Sequence, residues 1–151
     1  MKNLLTIVAF HLAFTSYLYP QFSLDKFLDL DWSQDENSIK KNYSNITFKS
    51  MGLMGVRTIT AIDTLEKFEI MLGFAFKDNT LKVKNIINEI NKRSVAENFF
   101  EYLTSEMIKK FGKDYKKTLK NDTKRYEWKT DKGEEISLYH RTSCILTIMK
   151  K

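Results

Sequence analysis

Residues 68–77 read FEIMLGFAFK, and Phe68, Ile70, Leu72, Phe74 and Phe76 alternate with Glu69, Met71, Gly73, Ala75 and Lys77. A period of two sends successive side chains to opposite faces of an extended chain, so this segment is a strand with one buried face. A membrane-spanning helix would be continuously apolar over about 20 residues. Lys77-Asp78-Asn79-Thr80 brings turn chemistry, and Leu81 and Val83 then alternate with Lys82 and Lys84. The stretch is a β-hairpin whose apolar stripe needs a covering layer.

That layer is helical. Ser94-Val-Ala-Glu97 has the spacing of a capping box. Val95, Phe99, Leu103 and Met107 follow every four residues, widened by Phe100, Ile108 and Phe111. Lys109 and Lys110 suit a last turn and Gly112 a left-handed cap, which predicts a helix over 95–111 facing the hairpin stripe. A second box, Ser33-Gln-Asp-Glu36, predicts a helix over 33–43 with Ile39 and Tyr43 on its apolar face. Further strands are expected over 45–50, 57–63, 115–120, 124–130, 135–140 and 144–149. The fold class is α+β, an antiparallel β-sheet with two helices packed on one face. The order of elements, though not the residue identities, is that of a tandem α-β(3–4) repeat.

The N-terminus reads as an address. Met1-Lys2-Asn3 is short and positively charged, and Leu4 to Phe14 is an apolar run of eleven residues broken by Thr6 and His11. Polar and turn-forming residues follow, so residues 1–21 have the layout of a signal peptide and 22–151 form one α+β domain. The expectation is an exported protein, periplasmic or secreted, with no transmembrane segment in the mature chain. The net charge is +6, of which Lys2 supplies one unit, and the lysines are interleaved with acids. Cys144 is the single cysteine, which rules out an intramolecular disulfide.

Little in the mature chain points to catalysis. His140 is its only histidine, no cysteine pair offers zinc spacing, and there is no phosphate loop, dinucleotide fingerprint or nucleophile elbow. No enzyme activity, metal or cofactor is expected. The alternative is a small exported enzyme using Cys144 and His140, which flank Arg141-Thr142-Ser143 as a nucleophile and base would across a tight hairpin. For binding, Tyr126 and Trp128 share one strand face; they are core, or, if exposed, an aromatic platform for a protein or glycan. Met51, Leu53 and Met54 make the 51–56 segment apolar and adaptable, either a contact loop or a segment tucked under the sheet. The expected partner is an unknown protein or envelope component, and the basic balance also fits electrostatic binding to an anionic envelope surface. No basic helix or nucleic-acid motif is present, so nucleic acid is not expected. No feature of the sequence bears on oligomeric state.

Several short motifs carry a resemblance. LDLDWSQDENSIKK is similar to the opening of many small exported proteins of Gram-negative bacteria. FAFKDNTLKV resembles their hairpin, and FGKDY and YEWKTDKGEEISL resemble later elements of the same group. The helix-then-strands order resembles the BLIP/SmpA-like envelope fold. The resemblance implies a sheet-and-helix binding scaffold, usually without known activity. The lipidation cysteine common among the assembly lipoproteins is missing here.

Overall fold

The computed structural model describes residues 22–53, 55–88 and 93–150. The leader expected over 1–21 lies outside these described residues. Three helices and eight strands follow in chain order: α1 (Leu24–Leu28), α2 (Glu36–Asn42), β1 (Lys49–Leu53), β2 (Val56–Leu65), β3 (Phe68–Lys77), β4 (Thr80–Asn88), α3 (Arg93–Phe111), β5 (Lys116–Lys120), β6 (Thr123–Lys129), β7 (Glu134–His140) and β8 (Cys144–Lys150). The strands form one antiparallel sheet in the order β1-β2-β3-β4-β8-β7-β6-β5. Two four-stranded meanders therefore stand side by side, joined in the middle where β4 pairs with β8. The strand order alone does not make this a sequence repeat.

Local chemistry sets the turns. Asp78 and Asn79 both take positive φ, 52° and 57°, as the two-residue turn of a tightly paired hairpin requires. Gly112 ends α3 at φ 82°, its N–H donating to the Ile108 carbonyl at 2.9 Å. The starts of the helices differ from expectation. Asp35, not Ser33, caps α2, accepting from the Ser38 N–H at 2.8 Å, and the Ser33 N–H that a capping box would give to Glu36 donates instead to Asp31 at 2.8 Å. Ser94 lies inside α3, which begins at Arg93. The short helix α1 was not expected at all; Ser23 caps it by accepting from the Lys26 N–H.

All three helices, rather than two, cover one face of the sheet. Phe27 of α1 meets Phe74 with ring centroids 5.8 Å apart, and Tyr43 beside α2 meets Phe74 at 5.9 Å. Phe99 of α3 meets Phe68 at 4.8 Å, and Phe100 meets Tyr126 at 5.1 Å. The stripe of β3 is buried as its alternation requires, but it is shared: Phe68 faces the long helix, and Phe74 faces the N-terminal segment. Each such side chain removed from water contributes about 1.5–3 kcal/mol. Among the described residues no helix is long and apolar enough to cross a membrane.

The return strand β4 departs from simple alternation. Register shifts between Ala75 and Phe76, so Phe76 faces Leu81 while Ala75 faces Val83. The extra residue reverses the parity of everything after it. Val83, expected on the buried stripe, is half-exposed on the opposite face, and Lys84, expected in solvent, points into the core.

Candidate functional site

The residues singled out for binding do not come together. Tyr126 and Trp128 face inward and are buried. Tyr115 stacks between them, 5.0 Å from Tyr126 and 4.8 Å from Trp128, and the Trp128 indole N–H donates to the Gly112 carbonyl at 3.1 Å. They are core beneath the end of α3 and not an exposed platform. Met51 and Leu53 are part of β1 rather than of a loop, since the hairpin β1–β2 takes in most of the 51–56 segment. Met51 is 70% exposed on that edge strand, and Met54 falls outside the described residues.

Cys144 and His140 are directly opposite each other in the β7–β8 hairpin. Both are buried, and no hydrogen bond joins their side chains among the described residues. Burial pushes the Cys144 thiol well above its ordinary range, which leaves it protonated and a poor nucleophile. Burial, then the Lys124 charge, lowers His140, whose ring lies 5.5 Å from Phe100. The pair has the chemistry of packed core residues.

A more unusual group is Lys84. It is fully buried, and its ammonium donates to three carbonyls, Phe27 at 3.1 Å, Leu28 at 2.8 Å and Leu30 at 3.3 Å. It also lies 4.7 Å from the centre of the Trp32 ring. Burial pulls its pKa down to about 8, against the opposing pull of Glu134 and Asp29. Its three protons are all used on carbonyls at and just past the end of α1, so Lys84 is a staple fastening the N-terminal segment to the sheet. Glu36 has a similar task at the other side of that segment. Its carboxylate accepts from Lys40 at 2.6 Å and from Ser50 at 3.0 Å, and pairs with Arg57. Burial pushes Glu36 upward, but these partners outweigh it and hold the carboxyl below its usual range.

The helix-free face of the sheet is different in kind. Register places Ile62, Met71, Ile87, Ile145 and Tyr139 side by side across five strands, forming one apolar row. Ile62 is 71% exposed and the others are half-exposed. A parallel row runs Thr60, Gly73, Asn85, Thr147 and Ser137, all small or amide-bearing. Gly73 leaves room for this row: a Cβ on it would overlap the Asn85 side-chain oxygen, because the Asn85 amide lies across the neighbouring strand. A third row carries Thr58, Ala75, Val83 and Met149, with Met51 beside Thr58. Two apolar rows thus flank a polar one on a surface that none of the described helices covers. At its far end a groove of about 500 Å³ opens over β5–β8, lined by Lys116, Arg125, Glu127, Lys129, Ser137 and Met149 among others.

A second groove, about 640 Å³, lies at the end of the helical layer around Trp32. Its rim mixes Asp29, Asp31 and Glu134 with Lys110, Lys132 and Lys150. Several of these neutralise one another or bind the scaffold: Lys110 pairs with Asp29 at 2.8 Å, and Glu134 accepts from the Trp32 indole at 2.7 Å. No group of His, Cys, Asp or Glu suited to a metal occurs among the described residues. No protein-family model matches the chain, and neither does any curated protein or solved structure.

Proposed function

We propose that this is an exported, non-enzymatic binding protein whose helix-free sheet face meets a protein or envelope component. The observation that carries the proposal is the apolar row Ile62–Met71–Ile87–Ile145–Tyr139 on a surface left open. A contiguous apolar patch rimmed by polar groups marks an interaction site on a protein with no other use for it. The leader-like pattern over 1–21 supports export, and the burial of Cys144 and His140 supports a role without catalysis. The BLIP/SmpA-like resemblance fits a binding role, since it implies a sheet-and-helix binding scaffold.

The test is crosslinking in cells of the source organism, followed by fractionation and identification of the partner. The wild-type chain is expected outside the cytoplasm, joined to a discrete partner. The Ile62→Glu/Ile145→Glu variant is expected to fold and to lose that partner. Recovery of the same partner by wild type and variant would refute the role of the open face, and a cytoplasmic wild-type chain would refute export.

A further inference from the structure

Strand β5 forms one edge of the sheet, paired only with β6, and all five of its residues are exposed. Its other side therefore presents a row of backbone N–H and C=O groups with no strand beside them among the described residues. The hairpin that carries it lies in a strongly cationic part of the chain. Residues 113–129 hold seven Lys or Arg against three Asp or Glu, whereas residues 22–88 hold nine of each. Lys113, Lys116, Lys117 and Lys120 form no ion pair among the described residues.

We propose that β5 is a docking edge for an extended acidic polypeptide segment, which adds to the sheet as a ninth strand. The edge supplies hydrogen bonds without sequence preference, and the lysines supply the choice of partner. Register places Lys116 and Lys120 on the open face and Lys117 on the helix side, where its ammonium lies 5.4 Å from the Tyr126 ring centre. Lysines on both faces suit a strand, whose side chains alternate between those faces. They suit a flat anionic membrane less well, because a plane meets one face at a time. The same charge excludes a second copy of this edge, since β5 against β5 would set lysine opposite lysine. The opposite edge, β1, lacks this selectivity: Lys49 is its only charged residue, and Ser50 is engaged by Glu36 and Lys40. The proposal stands apart from the open-face site, which involves other strands.

The test uses the full chain and three probes. The first is a fluorescent nine-residue peptide alternating Glu with Val or Thr, the second its backbone N-methylated twin of equal charge, and the third phosphatidylglycerol vesicles. The plain peptide is expected to bind at least tenfold more tightly than the twin, to weaken steeply as salt rises, and to slow amide exchange across residues 116–120. K116E/K120E is expected to weaken it about tenfold, while Lys77→Glu/Lys82→Glu, an equal change of charge elsewhere on the surface, leaves it unaltered. Circular dichroism on both variants separates loss of binding from loss of fold. Equal binding of the twin, binding to vesicles alone, or no binding would each overturn the proposal.

Discussion

The two meanders share a strand plan and solve the same problem differently. Strands β1–β4 are roofed mainly by two helices of five and seven residues, and strands β5–β8 mainly by one of nineteen. Helices as short as α1 and α2 are not stable alone. They are held by buried polar fasteners, Lys84 on the carbonyls of Phe27, Leu28 and Leu30, and Glu36 among Lys40, Ser50 and Arg57. Helix α3 needs no such device and buries Phe99, Phe100, Leu103 and Met107. The surfaces differ as well. The first meander together with its two short helices, residues 22–88, is neutral and exposes Met51, Val56 and Ile62, while the second half carries the excess positive charge. An amphipathic helix of several turns brings its own stability; a short one must borrow it from a few costly contacts.

The sharpest way to break that contrast is to empty the core of the first meander. Phe74→Ala is expected to lose about 3–5 kcal/mol, and because Phe74 meets Phe27, Tyr43 and Phe48, amide exchange should rise first in α1 and α2. Uniform exchange across the molecule would show the two roofs to be one unit. Next comes Lys84→Met, which keeps the bulk and orphans three carbonyls; about 2–3 kcal/mol is expected from chemical denaturation. The same substitution gives a pH signature. With a folded pKa of about 8 against an ordinary 10.5, the unfolded chain holds more protons in between. Lys84 therefore adds stability as pH rises through that window, an increment complete above 10.5 and lost as pH falls through 8. The buried Cys144 and Tyr43 act in the opposite sense at high pH, so the readout is wild type minus Lys84→Met. A flat difference from pH 7.5 to 10.5 would show that the three carbonyls offset the cost of burying the charge, leaving the Lys84 pKa unshifted.

Smaller effects test the open face. Gly73→Ala is expected to destabilise by about 1 kcal/mol, because the Asn85 amide must swing away. Combined with Asn85→Ala the loss should shrink well below the sum of the single changes, which a double-mutant cycle would measure. Ile62→Glu is expected to move stability by no more than about 0.5 kcal/mol, since the side chain already meets solvent. A large loss there would mean that the face supports the fold and is not free for a partner.

Strong periodicity was legible and its interruptions were not. The alternation of Phe68 to Phe76 and the four-residue spacing in α3 each point to one face, and both faces are buried. The strands after α3 also fall within a residue or two of expectation. By contrast, α1 has too few residues to establish a period, and Ser33 satisfied the capping pattern while Asp35 did the capping. The bulge at Ala75–Phe76 leaves no mark in composition, yet it decides which β4 residues face inward. It moved Lys84 into the core and Val83 onto the open face, so the apolar rows could be found only from the pairing. Tyr126 and Trp128 were legible as strand neighbours; what hid them from solvent was Tyr115 and the end of α3, which are distant in pattern though near in space.

The junction of β4 with β8 also bears on how the chain is made. β4 ends at Asn88 and β8 begins at Cys144, so a nascent polypeptide carries a finished first meander with an open seam for 55 further residues. Closing that seam is a long-range event, slow by comparison with hairpin formation. Until residues 144–150 emerge, the sheet has no completed middle. The centre of the sheet is therefore sealed only when β8 pairs with β4.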